Sequence, residues 1–450
     1  MKVGESMNDD IIVAIATSRL EAAISIIRLS GKDCIAFVQS FFSGKILNKE
    51  SHTITYGYIK DDDEKIDEVL VNIYRGKKTF TGEEMVEINC HGGVFITQKV
   101  LNLCLKKGAR MAEHGEFSKR AFLNGRIDLS QAEAISDLIS AKNDYASSLA
   151  LKGIQGNISH FIEDLREDLI QVITQIEVNI DYPEYDDVEE LTAESLLPKS
   201  ISLQEKMKHI LESSKNVHLL KDGISTVIIG KPNVGKSSLL NALLNEDKAI
   251  VTDIAGTTRD IVEGTIRLDN IILNMIDTAG IRKTNDVVEN IGVSKSKALI
   301  HQADLVLLVI DGSSPLTQED QELLDLSSDT NRIIVFNKKD KGIIQDIQGI
   351  SISAKDNDIE PLINEIKSMF ELGKIVAGQE DILANARQIQ LLEKANQSLE
   401  NAIIAMNNQI PTDLIVTDLY DAWENLKEIL GERAKEDLLD ELFKRFCIGK

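Results

Sequence analysis

At 450 residues, 43% of them hydrophobic, the chain exceeds what one hydrophobic core serves, so two to four globular domains are expected and nothing calls for a disordered one. Fifty basic residues against 73 acidic ones give a net charge of −23, a surface that on average repels a phosphate backbone. Any action on nucleic acid therefore needs a local basic patch or a partner that does the gripping. Apolar runs such as 305–310 are about a third of the roughly 20 residues a spanning helix needs. The opening MKVGESMNDD has neither an apolar signal core nor an Arg-rich leader, so a cytoplasmic protein without membrane contact is expected.

In chain order, residues 1–125 alternate strand-like runs (11–16, 23–29, 69–74, 85–90) with helical stretches (33–42, 94–106), a compact α+β pattern. From 126 to 220 the period becomes helical: Ile158, Phe161, Leu165, Leu169, Val172, Ile176 and Ile180 recur every three or four residues, and the break falls at Asp181-Tyr182-Pro183. Runs 224–229, 271–276, 305–310, 333–336 and 350–352 then alternate with helical segments, as a doubly wound parallel sheet requires. From 376 to 450 the chain is helical again, interrupted at Pro411. The expected architecture is multidomain: an α+β domain (1–125), an all-α domain in two halves (126–220 and 376–450), and an α/β P-loop domain (221–375) inserted between those halves. There is no internal repeat and no low-complexity linker.

The inserted domain carries an ordered set of motifs. Gly230-Lys231-Pro232-Asn233-Val234-Gly235-Lys236-Ser237, with Ser238 after it, follows an expected strand and opens an apolar helix, the context of a phosphate loop. Its backbone N–H groups and the helix N-terminus suit phosphate oxygens, Lys236 suits the β- and γ-phosphates, and Ser237 suits Mg²⁺. Thr252-Asp253-Ile254-Ala255-Gly256-Thr257-Thr258 reads as a switch loop, with Thr258, or Thr257 beside it, offering a second hydroxyl to Mg²⁺; the alternative for either threonine alone is a helix cap. In Asp277-Thr278-Ala279-Gly280, Asp277 reaches the Mg²⁺ shell through water and the Gly280 amide senses the γ-phosphate. Asn337-Lys338-Lys339-Asp340 selects the base, because Asp340 can accept two hydrogen bonds from the N–H edge of guanine, an edge that adenine lacks. Ser353-Ala354-Lys355 closes over that base. Together the motifs read a guanine nucleotide. Ile281 stands where many GTPases place a glutamine, so water activation comes from elsewhere, with Arg259, Arg282 and Glu289 as candidates.

Further motifs extend beyond that domain: Phe80-Thr81-Gly82-Glu83-Glu84, Cys90-His91-Gly92-Gly93, the run from Gly115-Glu116-Phe117-Ser118 to Asn124-Gly125, Asp128-Leu129-Ser130-Gln131-Ala132-Glu133-Ala134, and the terminal Phe446-Cys447-Ile448-Gly449-Lys450. With these the chain resembles, over essentially its whole length, the MnmE (TrmE) family of tRNA-modifying GTPases. The resemblance implies a homodimer formed through a folate-binding N-terminal domain, and GTPase domains that meet across the nucleotide. It implies that K⁺ replaces an arginine finger, held by Asn233 and by the loop residues Thr252, Ile254 and Thr257, with Glu289 as the catalytic group positioning water. Oxygen-only ligation suits a hard monovalent cation offsetting charge between the phosphates.

The resemblance also implies a heterotetramer with the flavoprotein MnmG, which supplies FAD and holds most of the tRNA. The pair would install an aminomethyl or carboxymethylaminomethyl group on carbon five of the wobble uridine, using a tetrahydrofolate derivative (5,10-methylene- or 5-formyl-tetrahydrofolate). Arg28, Glu87, Arg126 and Lys450 would contact the folate, cations suiting its carboxylates and Glu87 the pterin N–H edge. Two departures stand out. Thr17-Ser18-Arg19-Leu20-Glu21-Ala22-Ala23 replaces the family's Pro/Gly-rich loop, and Arg126 stands where lysine is common.

Four scattered cysteines (Cys34, Cys90, Cys104, Cys447) lack metal-ligand spacing; three are expected in the core. Cys447 is either a thiol in the modification reaction or a residue packed at a domain junction, and Gly449-Lys450 fits a prenylation box poorly. The glycines flanking His91 suggest a turn where backbone approaches a ligand or a neighbouring helix, and no second ligand makes His91 a metal site. The competing function is a GTP-switched ribosome-assembly factor. Against it, Gly153-Ile154-Gln155-Gly156 precedes an acidic helix rather than the basic surroundings an RNA-clamping loop needs.

Overall fold

The computed structural model describes residues 10–181, 193–214, 217–245, 262–268, 271–276, 299–300, 302–342, 347–376, 382–446 and 448–449. The chain forms two compact units: Met1–Ile139 with Gly153–Ile201 and Lys394–Lys450, and Ser140–Lys152 with Ser202–Glu393.

The first unit opens with β1 (Ile12–Ile15), β2 (Ile24–Ser30), α1 (Cys34–Gln39), β3 (Thr53–Asp61), β4 (Glu64–Tyr74), β5 (Met85–His91), α2 (Val94–Lys106), β6 (Arg110–Met111) and α3 (Glu116–Leu123). The sheet order is β3-β4-β5-β2-β1-β6, antiparallel except for the β1–β6 pair. Alternation in β4 buries Val69, Val71 and Ile73, which pack with Ile27, Leu29, Val86 and Ile88 against Val38 of α1 and Val100, Leu101 and Cys104 of α2. Fully burying each such side chain favours folding by about 1.5–3 kcal/mol. Cys34, Cys90 and Cys104 all lie in this core, where burial pushes the Cys90 thiol up to about 11 and the Cys104 thiol up to about 12. Those thiols are inert packing groups rather than nucleophiles.

Helices α4 (Leu129–Ser140), α5 (Asp144–Ile154), α6 (Asn157–Asp181), α7 (Ala193–Ser214) and α8 (Val217–Asp222) follow. α6 ends at Asp181, where the sequence places its break, but its buried stripe runs through Ile162 and Ile173; Phe161 is only half-buried and Ile180 is exposed.

The second unit's sheet is built from β7 (Ile224–Ile229), α9 (Lys236–Asn245), β8 (Val262–Leu268), β9 (Ile271–Ile276), β10 (Leu305–Asp311), α10 (Gln318–Leu326), β11 (Arg332–Asn337), β12 (Ile350–Ser351) and α11 (Glu360–Val376). The order is β12-β11-β10-β7-β9-β8. All neighbours pair in parallel except β8, an added antiparallel edge. In β10, Leu305, Leu307 and Val309 enter one core while Val306, Leu308 and Ile310 enter the other, which is why this strand reads as one continuous apolar run. The sheet order reverses between β7 and β10, and a ligand crevice is expected at their carboxyl ends.

Helices α12 (Ala386–Asn407), α13 (Thr412–Leu430) and α14 (Glu436–Phe443) complete the described chain, α13 starting behind Pro411. Among the described residues no helix is long and apolar enough to cross a membrane.

Candidate guanine nucleotide site and the terminal segment

β7 delivers its buried Val227, Ile228 and Ile229 into the sheet and turns sharply at Gly230, whose φ is +150°. A Cβ at Gly230 would lie 2.2 Å from the Val309 carbonyl oxygen of β10. The loop stays in left-handed backbone at Asn233 (φ +63°) and Gly235 (φ +99°), and α9 begins at Lys236. Its amide groups thus lead directly into a helix N-terminus, where the backbone supplies partial positive charge. The Lys236 ammonium donates to the carbonyls of Gly230 (2.8 Å) and Lys231 (2.9 Å), so the amine sits against the inner backbone of its own loop. Ser237 is half-buried on the first turn of α9, and Ser238 is exposed.

Asn337, the last residue of β11, is only 3% exposed and joins two of the motifs. Its Nδ2 donates to the Val234 carbonyl at 2.8 Å, and its Oδ1 accepts from the Ala354 amide at 3.0 Å. Lys338, at φ +68°, donates to the Asn233 carbonyl at 2.8 Å and to Asp311 at 2.7 Å. Burial alone would raise the Asp311 carboxyl, but Lys338 and Ser313 hold it below the usual carboxylate range. The Lys339 amide donates to the Ile352 carbonyl at 3.0 Å, and its side chain pairs with Asp358 at 2.8 Å. Ser353 donates to Asp340 at 3.3 Å and Asp356 at 2.7 Å. Asp340 and Lys355 are exposed.

The phosphate loop, the Asn-Lys-x-Asp and the Ser-Ala-Lys are therefore one hydrogen-bonded assembly. The stretch Thr252 to Thr258, the Asp277 to Gly280 motif, and Arg259, Arg282 and Glu289 lie outside the described residues. Among the described residues no group of three or more His, Cys, Asp or Glu side chains is placed to hold a metal ion.

In the first unit, Arg28 of β2 and Glu87 of β5 stand directly opposite across the antiparallel ladder. Arg28 Nε donates to Glu87 Oε1 at 2.9 Å, and the Tyr74 hydroxyl donates to Glu87 Oε2 at 3.1 Å. Burial and the Glu87 charge raise the Tyr74 phenol above its ordinary value, keeping it a donor. Arg28 Nη1 donates to the Gly449 carbonyl at 3.0 Å, and the guanidinium lies 5.6 Å and 5.9 Å from the Phe80 and Phe117 ring centres. Arg126 is exposed on the turn after α3, and among the described residues no hydrogen bond or ion pair joins it to the Arg28–Glu87 pair. Lys450 and Cys447 lie outside the described residues.

Sequence reading missed Tyr74 and the Gly449 carbonyl as partners of this pair. Phe80 and Phe117 carried a signal, since both fall inside the quoted motifs. The chain's end is docked at several points: Ile448 bridges His114, the His114 ring meets the Phe446 carbonyl at 3.1 Å, and Phe446 packs with Phe443 on Leu129 and Phe122. The substituted loop also finds its contact. A Cβ on Gly92 would lie 2.2 Å from the Ala22 carbonyl, so the backbone that closely approaches this glycine is the 17–23 loop. His91 is exposed and pairs with Asp67 at 2.7 Å, which raises its pKa.

Residues 129–447 match a family model described as the MnmE helical domain, and residues 11–126 match one described as the GTP-binding protein TrmE N-terminus. The tRNA modification GTPase MnmE of Lactococcus lactis subsp. cremoris (strain SK11) is 48% identical over 448 residues, covering 98% of each chain. That of Streptococcus thermophilus (strain CNRZ 1066) is 49% identical over 451 residues, again covering 98% of each. Among solved structures, Era in complex with MgGDPNP and a 16S ribosomal RNA segment is 25% identical over 39% of this chain and 66% of its own, with a TM-score of 0.25, too low an overlap to argue from. A family model across more than half of the residues, and near-half identity across almost the whole length, place the chain in one group: it belongs to the MnmE (TrmE) family.

Proposed function

We propose that the chain is a cytoplasmic, potassium-dependent GTPase that acts in tRNA modification. With a flavoprotein partner, MnmG, in a heterotetramer, it adds an aminomethyl or carboxymethylaminomethyl group to carbon five of the wobble uridine, taking the carbon from a tetrahydrofolate derivative. The observation that carries this reading is the extent of the identity. At 48–49% over 98% of both chains, it extends well beyond the nucleotide-binding unit, to nearly the whole length of the chain. The domain scheme that goes with it is 1–125 for folate binding and dimerisation, 126–220 with 376–450 for the helical domain, and 221–375 for the GTPase.

In this scheme the amides of Asn233 to Ser238 and the Lys236 ammonium bind the phosphates, and Asp340 with the Ser353–Lys355 loop binds guanine. Ser237 presents a hard hydroxyl oxygen one residue after that ammonium, a donor that suits Mg²⁺, with Thr258 as its second hydroxyl. Asn233, Thr252, Ile254 and Thr257 hold K⁺, which would supply positive charge where it develops between the phosphates. Glu289 positions water. In this scheme Arg28, Glu87, Arg126 and Lys450 would hold the folate: Glu87, already bonded to Arg28 and Tyr74, would exchange one of those bonds for the pterin N–H edge, and the cations would suit the glutamyl carboxylates. FAD belongs to the partner, and most of the tRNA does too, in keeping with the −23 charge.

The test is GTP turnover by the purified chain in KCl and in NaCl at matched ionic strength, paired with wobble-nucleoside analysis of a strain lacking the gene. Strong stimulation by K⁺ and loss of the modified uridine are expected. Turnover indifferent to the cation would remove the K⁺ site and move water activation to Arg259 or Arg282; intact wobble nucleoside would remove the tRNA reading.

A further inference from the structure

Among the described residues, side chains of Asn337 and Lys338, both of the base-reading motif, anchor the phosphate loop. A further anchor comes from elsewhere. Lys231, the loop's second residue, extends its ammonium to Asp320 Oδ2 at 2.7 Å, with side chains 17% and 1% exposed. Asp320 belongs to α10, on the far side of β10 in sequence, and is itself fixed. Thr317 caps α10, and the Thr317 amide (2.9 Å) and hydroxyl (2.7 Å) both donate to the same Asp320 oxygen in a capping box. A buried carboxylate locked to a helix start is a rigid post, and the lysine attached to it cannot swing free without leaving that charge unpaired.

The geometry points to Lys231 as a positioning residue for the GTP site, acting through Asp320. Its main-chain carbonyl accepts from the Lys236 ammonium, at 2.9 Å. Fixing Lys231 by its side chain therefore fixes an oxygen that helps set where Lys236 points, and it holds the loop's first turn in the shape whose amides face phosphate. Lys231 need not touch nucleotide for this. Its contribution is made before binding, by sparing the loop the ordering that the nucleotide would otherwise have to impose. A contribution of that kind acts on ground state and transition state alike, so it appears in affinity and leaves turnover at saturation almost unchanged. GDP and GTP share it equally, because both fill the part of the loop next to Lys236.

The inference rests on the guanine nucleotide reading, and the experiment separates the two. GDP and GTP dissociation constants and saturating turnover are measured on the full chain and on Lys231→Met, Asp320→Asn, the double variant and Lys231→Arg. Failure of the parent to bind either nucleotide would overturn the site itself. With the parent binding, each single neutralisation is expected to raise both dissociation constants about tenfold, with kcat within about twofold. The double variant is expected to be no worse than either single one, and Lys231→Arg to recover most of the affinity. The double variant removes both charges, so it folds even where a lone Asp320 does not. Parent-like affinity in the double variant would overturn the inference. So would additive losses, or a fall in kcat at unchanged affinity, which would mean that Lys231 touches the reacting phosphates.

Discussion

Asn337→Ala should destabilise the nucleotide-binding unit even when no nucleotide is present. The residue sits in the base-reading motif, yet both of its hydrogen bonds go to protein backbone: Nδ2 to the Val234 carbonyl and Oδ1 from the Ala354 amide. Val234 is 1% exposed and Ala354 7%, so water is poorly placed to replace the lost amide. Each orphaned buried backbone group costs about 1–3 kcal/mol, giving about 2–6 kcal/mol for the pair. In a unit of this size that corresponds to a melting point lower by about 5–20 °C. Calorimetry or urea unfolding of the apo chain measures it, followed by a GDP titration that should show weaker binding. Asn337→Asp sharpens the test, since a carboxylate can still accept from Ala354 but cannot donate to the Val234 carbonyl. Apo stability within about 0.5 kcal/mol of the parent, alongside lost GDP affinity, would refute the reasoning and leave Asn337 as a group that acts only through bound nucleotide.

Gly235→Ala should abolish GDP binding in titration calorimetry, because its Cβ would fall 2.2 Å from Asn337 Nδ2 at a φ of +99°. Gly92→Ala places a Cβ 2.2 Å from the Ala22 carbonyl and should displace the 17–23 loop; tetrahydrofolate affinity reduced severalfold, with GDP affinity unchanged, is the expected readout. Asp320 predicts an acid limb. Burial works to raise its carboxyl, but hydrogen bonds from Lys231 and Thr317 outweigh burial and hold it below the ordinary 3.8. As pH falls the unfolded chain therefore takes up the proton first. The stabilisation is complete above the unfolded value and is lost as pH falls through the folded one, so Asp320→Asn should flatten the loss of stability below about pH 4 in acid unfolding.

Much of the nucleotide unit was legible because its strands are buried on both faces. Runs such as 224–229 and 271–276 coincide with β7 and β9, since an unbroken apolar run of that length has few other homes. The strands that pattern reading passed over are those where burial is one-sided or interrupted. β3 turns Ile54 and Tyr56 outward, at 64% and 56% exposure, and buries Gly57 and Ile59, so its alternation is reversed from the usual sign. β8 carries Gly264 and a register shift at its start. The helical stretch 33–42 shrinks to α1, because Phe41 and Phe42 leave the helix to pack in the core beneath β3. The site shows the same division. Motif spacing announces the phosphate loop, but it cannot show that Lys231 and Asp320, 89 residues apart, form a buried ion pair. Nor can it reveal that Arg28 is claimed by a carbonyl 421 residues away.

That last contact decides how the terminal cysteine can be tested. Deleting the final residues would remove Cys447 and Lys450, but also the Gly449 carbonyl that Arg28 engages, and it would take Ile448 from its bridge with His114. Gly449 is bound by its own geometry to that place: φ is +92°, and a Cβ there would lie 2.8 Å from the Ile15 carbonyl. A truncated chain that fails in modification would therefore be silent on the thiol, since a disturbed Arg28–Glu87 pair accounts for the failure equally well. Cys447→Ser leaves the tail backbone, and hence the Arg28 contact, in place. Gly449→Ala does the reverse, keeping the thiol while prising the backbone from Ile15. Should the thiol take part in the chemistry, the serine variant binds tetrahydrofolate normally and yields no modified wobble uridine, whereas the alanine variant loses folate affinity first. Normal wobble nucleoside from the serine variant would exclude the thiol from the chemistry.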